Sequence, residues 1–137
     1  MKKQTSGFTL IELLLVLVIL GVLAALVVPK FVGYGEKARV TRAGTDIATL
    51  EDALDRFDLE NGRYPTSEEG LRALVEAPPG LAKWNGPYIK RGVPTDPWGN
   101  AYQYRYPGMH NPKSPDLFSL GPDGREGNDD ITNWTQD

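Results

Sequence analysis

The stretch GFTLIELLLVLVILGVLAALVV, residues 7–28, decides the architecture of this 137-residue chain. Residues 8–28 form a run of 21 residues that is nearly all apolar, interrupted by Thr9, Glu12 and Gly21. At about 1.5 Å per residue, a helix of this length spans roughly 30 Å, which is the thickness of a bilayer core. The run therefore predicts a transmembrane helix close to the N-terminus.

Two other interpretations of this run compete with a membrane anchor. A secretory signal peptide also has a basic start, here Lys2 and Lys3, and Ala24-Ala25 supplies small residues near the end of the run. Its apolar region, however, usually has about 7–15 residues. A buried core helix is disfavoured because the rest of the chain is too small to surround it. We favour an anchor whose N-terminus is cytoplasmic, because positive residues flank the cytoplasmic end of membrane helices.

A second helical pattern occupies residues 30–61. Charged residues fill most of its surface, and Asn61-Gly62 is a typical helix end. Its apolar residues recur at alternating spacings of three and four, forming one stripe along a helix: Val40, Ala43, Ile47, Leu50, Leu54 and Phe57. The stripe is too short for an extended coiled coil, so it predicts packing on the chain's own globular domain. Pro29, Gly33 and Gly35 weaken the joint between the two helical halves.

Residues 62–137 have the composition of a small head domain. Thr66 and Glu69 have the spacing of a capping box ahead of a short helix. The alternating tyrosines of residues 102–106 and the apolar segment 116–120 predict short antiparallel strands joined by Pro/Gly turns. The predicted fold class is α+β: a long N-terminal helix, transmembrane in its first half and amphipathic in its second, with a small C-terminal head containing a short antiparallel sheet.

The composition excludes several classes of function. The net charge is −3 and the basic residues are scattered, which argues against nucleic-acid binding. The chain has no cysteine, which excludes a disulfide framework, a CxxC zinc site and a thiol nucleophile. Its one histidine, His110, lies in a Gly- and Pro-rich stretch that is typical of a surface loop. An exported enzyme is disfavoured because no Ser/His/Asp set or histidine-bearing metal motif is visible.

Glu12 is the unusual residue of the apolar run. A charged side chain within a membrane span costs roughly 2.5–3.5 kcal/mol on insertion scales, so such a residue indicates a functional site. Because Glu12 lies near the predicted cytoplasmic end, simple solvation there remains an alternative explanation.

The sequence Gly7-Phe8-Thr9-Leu10-Ile11-Glu12 resembles the prepilin peptidase motif of type IV pilins and pseudopilins. The resemblance implies cleavage between Gly7 and Phe8 and N-methylation of the new Phe8 amine. It also implies that Glu12 faces the Phe8 amine of a neighbouring subunit in a filament, where this pairing sets the register. Loss of Lys2 and Lys3 would take the net charge from −3 to −5 (−3 minus 2). The predicted segments are a leader (1–7), an assembly helix (8–29), an amphipathic helix (30–61) and a head (62–137).

Further motifs are similar to those of the major pseudopilins of type II secretion systems: Leu59–Pro65, Glu69–Leu71, Asp96–Asn100, Ser119–Gly124 and Ile131–Trp134. Type IV pilins often close their C-terminal region with a disulfide, so the lack of cysteine favours a pseudopilin. The resemblance implies a single-pass inner-membrane protein with a periplasmic head. Its subunits would polymerise into a periplasmic filament that drives export of folded proteins across the outer membrane.

The partners implied by this resemblance are further copies of the chain, minor pseudopilins, the prepilin peptidase and the inner-membrane assembly platform. The alternative within the class is a minor pseudopilin or a pilin-like subunit of an adhesion or DNA-uptake filament. A subunit at a filament tip would be expected to alter Glu12, so its presence favours a core subunit.

An acidic segment near the C-terminus is the second candidate site. Asp123, Glu126, Asp129 and Asp130 fall within eight residues. Calcium accepts about six to eight oxygen ligands, although the EF-hand spacing is not met. From the spacing alone, a solvated acidic loop is as good an interpretation as a calcium site.

The resemblance to major pseudopilins implies a calcium ion held by Asp123, Asp129, Asp130 and the main-chain carbonyls of Leu120 and Arg125. A metal would also suit a small head without disulfides, since one small core supplies little stability. A monomeric calcium-binding module on a membrane tether is the remaining alternative.

Overall fold

The structure, a computed structural model, describes residue 1 and residues 6–135, apart from the side chains of 28–32. Lys2 and Lys3, which belong to the predicted leader, lie outside the described residues. The chain divides into two compact units, Met1–Lys37 and Ala38–Asp137. The division falls within the segment predicted as the amphipathic helix.

Helix α1, Leu10–Asn61, comprises 52 residues. It therefore includes Pro29, Gly33 and Gly35, and it begins two residues after the predicted start at Phe8. Its end agrees with the prediction: Gly62 has φ 75°, and its backbone N–H donates to the Asp58 carbonyl at 2.7 Å. A residue with positive φ at this place costs least when it is glycine, so the Asn-Gly sequence terminates the helix.

The predicted apolar stripe forms the centre of the second unit. Five of its six members are buried, whereas Val40 is 43% exposed, so its predicted burial is wrong. Among the described side chains of α1, the first that is buried is Ala43. The core joins this helix to the following chain and comprises Ile47, Leu50, Ala53, Leu54, Phe57, Leu71, Ala73, Leu74, Tyr88, Tyr102 and Leu117.

The capping box predicted at Thr66 and Glu69 is present. Thr66 N–H donates to Glu69 Oε2 at 2.9 Å, and Glu69 N–H donates to Thr66 Oγ1 at 3.2 Å. The short helix that follows, Gly70–Leu74, is a 3-10 helix. Its apolar side chains cover one side of α1 in the core.

The head contains a three-stranded antiparallel sheet of order β1-β2-β3: Gln103–Arg105, Asp116–Ser119 and Ile131–Thr132. Tyr104 pairs with Leu117 across β1 and β2, and Ser119 pairs with Ile131 across β2 and β3. The acidic segment is the connection between β2 and β3. The short antiparallel sheet predicted from the sequence is therefore confirmed, and it fixes both ends of the acidic loop.

Three carboxylates on the charged face of α1 are hydrogen-bonded to the head. Tyr102, Tyr88 and Tyr64 donate their hydroxyl protons to Asp46, Glu60 and Asp55 at 2.8, 2.7 and 2.9 Å, respectively. Burial, followed by the hydrogen bond to Asp55, raises the pKa of Tyr64 to about 12. These bonds hold the loops of the head against the helix.

Candidate functional site

The bond predicted to be cleaved lies in an exposed, non-helical segment. Gly7 is exposed, Phe8 is 91% exposed, and α1 begins at Leu10. A Cβ added to Gly7 would meet no atom within 4 Å. The fold itself therefore places no requirement for glycine at this position, and any such requirement arises from a protein that recognises the segment.

Glu12 closes a capping box at the start of α1. Thr9 N–H and Thr9 Oγ1 both donate to Glu12 Oε2, at 2.8 and 3.0 Å. In return, Glu12 N–H donates to Thr9 Oγ1 at 3.3 Å. This arrangement satisfies backbone donors that a helix start otherwise leaves without partners. It also turns the carboxylate of Glu12 towards the N-terminal end of the helix, the side on which Phe8 lies.

The side chains of the apolar part of α1 are exposed. Leu10–Val27 is the one described helix segment that is long and apolar enough to cross a membrane, and none of its 18 residues is buried within the chain. Exposed apolar surface of this extent indicates a membrane or protein partner. The carboxylate of Glu12 lies within this otherwise apolar segment.

The acidic loop folds back on itself around its glycines. Gly127 N–H donates to Asp130 Oδ2 at 3.2 Å. A Cβ built on Gly127 would lie 3.3 Å from Asp129 Oδ1 and 3.9 Å from the Arg125 carbonyl oxygen. Three of the five predicted calcium donors therefore lie near Gly127: Asp130 accepts its backbone N–H, and the other two border the position of the built Cβ.

Asp123 and Leu120 are placed differently. Asp123 Oδ1 accepts the backbone N–H of Arg125 at 2.8 Å, and Leu120 directly follows strand β2. In the described part of the chain, no three Asp, Glu or His side chains lie close enough together to hold a metal ion. Asp129, Asp130 and the Arg125 carbonyl thus lie near Gly127, but the three predicted carboxylates do not meet at one point.

Negative charge is crowded in this loop. The pKa of Asp130 is raised, first by its partial burial and then by the charges of Asp129, Glu126 and Asp123, although the Gly127 N–H opposes this shift. A bound cation would offset such repulsion. Glu126 instead lies 3.7 Å from Arg105 of strand β1, so it has a cationic neighbour of its own.

A buried polar network fixes the entrance to the acidic loop. Ser119 Oγ donates to Asp96 Oδ2 at 2.6 Å and accepts the backbone N–H of Gly121 at 3.2 Å. Asp96 Oδ1 accepts the backbone N–H groups of Trp98 and Asn100 at 3.1 and 2.7 Å. The turn of residues 96–100 thus supports the loop, a role that the sequence does not reveal.

This network leads to a stability prediction. Ser119→Ala should destabilise the head by about 1–3 kcal/mol, because it leaves the buried Asp96 carboxylate and the Gly121 N–H without this partner. Urea unfolding of a soluble fragment lacking residues 1–30 measures the effect. Ser114→Ala is the matched control, since only backbone atoms of Ser114 make hydrogen bonds in the described structure. Equal unfolding midpoints for the two variants would contradict the role given to Ser119.

Asn133 fixes the exit from the loop. Its Nδ2 donates to Glu51 Oε1 at 2.8 Å and to the Pro115 carbonyl at 3.0 Å, while its Oδ1 accepts the Leu117 N–H at 2.9 Å. One side chain therefore joins the C-terminal segment to α1 and to β2.

His110 has a structural role that the sequence analysis missed. Its ring stacks on Trp134 with a centroid distance of 4.1 Å and an interplanar angle of 2°, and its Nδ1 lies 3.1 Å from Asp116 Oδ2. Asp116 is fully buried and also accepts backbone N–H groups of the loop that carries His110. His110 is thus half-exposed, but it is not an ordinary surface residue.

Sequence comparisons match both parts of this architecture. The family described as "Prokaryotic N-terminal methylation motif" matches residues 2–28, and "Type II secretion system (T2SS), protein G" matches residues 30–134. The chain belongs to the type II secretion system protein G family. The second match spans most of the chain and includes the acidic loop and both segments that fix it.

Relatives named type II secretion system core protein G resemble the chain over nearly its whole length. The protein of Klebsiella pneumoniae is 54% identical over 97% of this chain and 96% of its own length. That of Escherichia coli K12 is 53% identical, covering 96% and 92%, and that of Pseudomonas aeruginosa is 49% identical, covering 97% of each.

A solved structure agrees with these relatives. The chain resembles the crystal structure of the major pseudopilin from the type 2 secretion system of enterohaemorrhagic E. coli, with a TM-score of 0.66 and 42% identity. The match covers 74% of this chain and 87% of that one. The α+β fold predicted from the sequence is therefore confirmed.

Proposed function

We propose that this chain is the major structural subunit of the type II secretion pseudopilus. Its copies polymerise through the N-terminal helix into a periplasmic filament that drives export of folded proteins across the outer membrane. Membership of the protein G family and the likeness to a major pseudopilin support this function over a minor pseudopilin or an adhesion pilin. The role is structural, and we propose no catalytic activity for the chain.

The observation that carries the proposal is the apolar segment Leu10–Val27, of which no residue is buried within the chain. Leaving it in water is unfavourable, since burying apolar surface contributes about 25 cal/mol per Å². Lipid covers this surface before assembly, and the corresponding helices of other copies cover it in the filament. If the protein were instead a monomer tethered to the membrane, this surface would contact lipid only and would serve only as an anchor.

The proposed function includes a membrane topology and a set of assembly partners. The N-terminus is cytoplasmic, the helix crosses the inner membrane once, and the head is periplasmic. A prepilin peptidase removes residues 1–7 and the Phe8 amine is methylated. Minor pseudopilins and an inner-membrane assembly platform then take part in building the filament.

We further propose that the acidic loop binds calcium through Asp123, Asp129, Asp130 and the carbonyls of Leu120 and Arg125. The surroundings of Gly127 support this assignment: the Asp129 carboxylate and the Arg125 carbonyl oxygen border the position of the built Cβ, and the Asp130 carboxylate accepts the backbone N–H. The crowded charge around Asp130 supports a cation there as well. Calcium would supply positive charge and a preference for oxygen ligands. The protein's own part is to hold both ends of the loop through Ser119 and Asn133.

Processing provides the direct test of the proposed function. The protein purified from its own membrane should have lost residues 1–7 and gained one methyl group, as measured by intact mass. Gly7→Ala should be processed poorly and Gly7→Val not at all, while folding stays normal because the space around Gly7 is open. Ser6→Ala, an exposed neighbour, is the control and should be processed like the wild type. Wild-type protein that still begins at Met1 would refute the proposal.

A further inference from the structure

The chain contains two Asn-Gly pairs, Asn61-Gly62 and Asn85-Gly86. In such a pair the glycine nitrogen can attack the asparagine side chain, because a residue without a Cβ neither obstructs the approach nor restricts the backbone. We propose that Asn85 is a site of spontaneous deamidation in the folded protein, and that the fold protects Asn61 from the same reaction.

The reaction needs water and a base, and it involves no oxidant or reductant. The backbone nitrogen of Gly86 gives up its proton to solvent base and bonds to Cγ of Asn85, and the side-chain nitrogen departs as ammonia. Water then opens the resulting succinimide at either carbonyl, giving aspartate or isoaspartate. The net change is one water consumed and one ammonia released.

Asn61 is held in a geometry that prevents this attack. Its Nδ2 donates to the Phe57 carbonyl at 2.9 Å and to the Tyr88 hydroxyl at 3.1 Å. The attacking nitrogen, that of Gly62, donates to the Asp58 carbonyl at 2.7 Å. All three hydrogen bonds must break before the reaction can begin, which should slow it about a hundredfold.

Asn85 is exposed, and its side chain makes no hydrogen bond to any described residue. The glycine after it is required by packing, because a Cβ on Gly86 would lie 2.5 Å from the ring of Trp84. That ring is itself fixed, since Trp84 Nε1 donates to the Ala73 carbonyl at 2.8 Å and the ring meets Tyr88 edge-on. Packing thus requires the glycine of this pair, and no hydrogen bond to a described residue protects the Asn85 side-chain amide.

Deamidation would alter both charge and packing. Residues 77–95 contain Lys83, Lys90 and Arg91 and no acidic residue, so a new carboxylate lowers their net charge from +3 to +2. Isoaspartate also adds a methylene group to the backbone shortly before Tyr88, a buried member of the core. Modified molecules should therefore unfold at a lower urea concentration than unmodified ones.

The test follows both pairs in one sample. Full-length protein in detergent is incubated at mildly alkaline pH in water enriched in heavy oxygen, and is then digested with trypsin in ordinary water. Cleavage yields the peptides 57–63 and 84–90, each with one Asn-Gly pair. Heavy oxygen should enter peptide 84–90 about a hundredfold faster than peptide 57–63. In urea the two rates should become similar, because the protection of Asn61 depends on the fold.

Asn85→Gln provides the chemical control, because the longer side chain does not form the same five-membered ring readily. Peptide 84–90 of this variant should stay unlabelled while peptide 57–63 is unchanged. Equal labelling of both peptides in the folded wild type would overturn the proposal. So would an unlabelled peptide 84–90 in folded protein that becomes labelled in urea, since that result would show that the fold protects Asn85 as well.

Discussion

Glu12→Ala is expected to abolish filament formation while leaving membrane insertion intact or improved. The substitution removes a costly polar group from the apolar segment, but it also leaves the Phe8 amine of a neighbouring subunit without a counter-charge. A charge left unpaired in apolar surroundings costs roughly 2.5–3.5 kcal/mol, which lowers the assembly constant about a hundredfold for each subunit. The yield of filaments sheared from cells, relative to total subunit, measures the effect.

The capping box at Thr9 offers a second explanation for such a loss, and two variants separate the two effects. Glu12→Gln keeps a side chain that accepts the Thr9 N–H but removes the charge, so it should fail as Glu12→Ala does. Thr9→Ala removes the hydroxyl but keeps the charge, so it should still assemble. Normal filament yield from Glu12→Gln would show that Glu12 acts as a helix cap and not as the partner of an amine.

The course of α1 was largely predictable because the signals along a helix are local. A stripe with spacings of three and four, followed by Asn61-Gly62, gave the buried face and the end of the helix. The same pattern also included Val40, which is exposed. Periodicity identifies the apolar face of a helix, but not where along its length a partner begins to cover it.

The hydrogen bonds between carboxylates of α1 and tyrosines of the head were not predictable from the sequence. The helical pattern predicts that Asp46 is exposed to solvent. In the structure it accepts a hydrogen bond from Tyr102, 56 positions further along the chain. The stacking of His110 on Trp134 is equally non-local. Such pairs depend on how the loops close over the core, and no local rule specifies this.

The candidate sites also combine local features, which the sequence predicts, with long-range contacts, which it does not. The capping box of Thr9 and Glu12 has the same spacing as the one at Thr66 and Glu69, so it too follows from the sequence. The support of the acidic loop by Asp96, Ser119 and Asn133 was not visible, because these residues are far apart in the chain. A cluster of acidic residues therefore suggested a cation, but not how the loop is held.

Calcium should raise the melting temperature of the head by roughly ten degrees or more. A ligand that binds the folded state alone stabilises it by about 2.7 kcal/mol at a hundredfold excess over its Kd. Without the ion, repulsion around Asp130 opposes closure of the loop, and the loop leads directly into β3 and Asn133. Thermal unfolding of a soluble fragment lacking residues 1–30, in calcium and then in a chelator, measures the shift.

Single substitutions should show which carboxylates take part. Asp123→Ala and Asp130→Ala should each abolish the response to calcium. Glu126→Ala is the matched control and should keep it, because Glu126 is directed to Arg105. Magnesium should substitute poorly, since it requires tighter octahedral geometry and releases water reluctantly.

Equal melting temperatures in calcium and in chelator would show that the loop is a solvated turn and not a calcium site. A response that survives Asp123→Ala would instead confine the site to the neighbourhood of Gly127, near which Asp129, Asp130 and the Arg125 carbonyl lie.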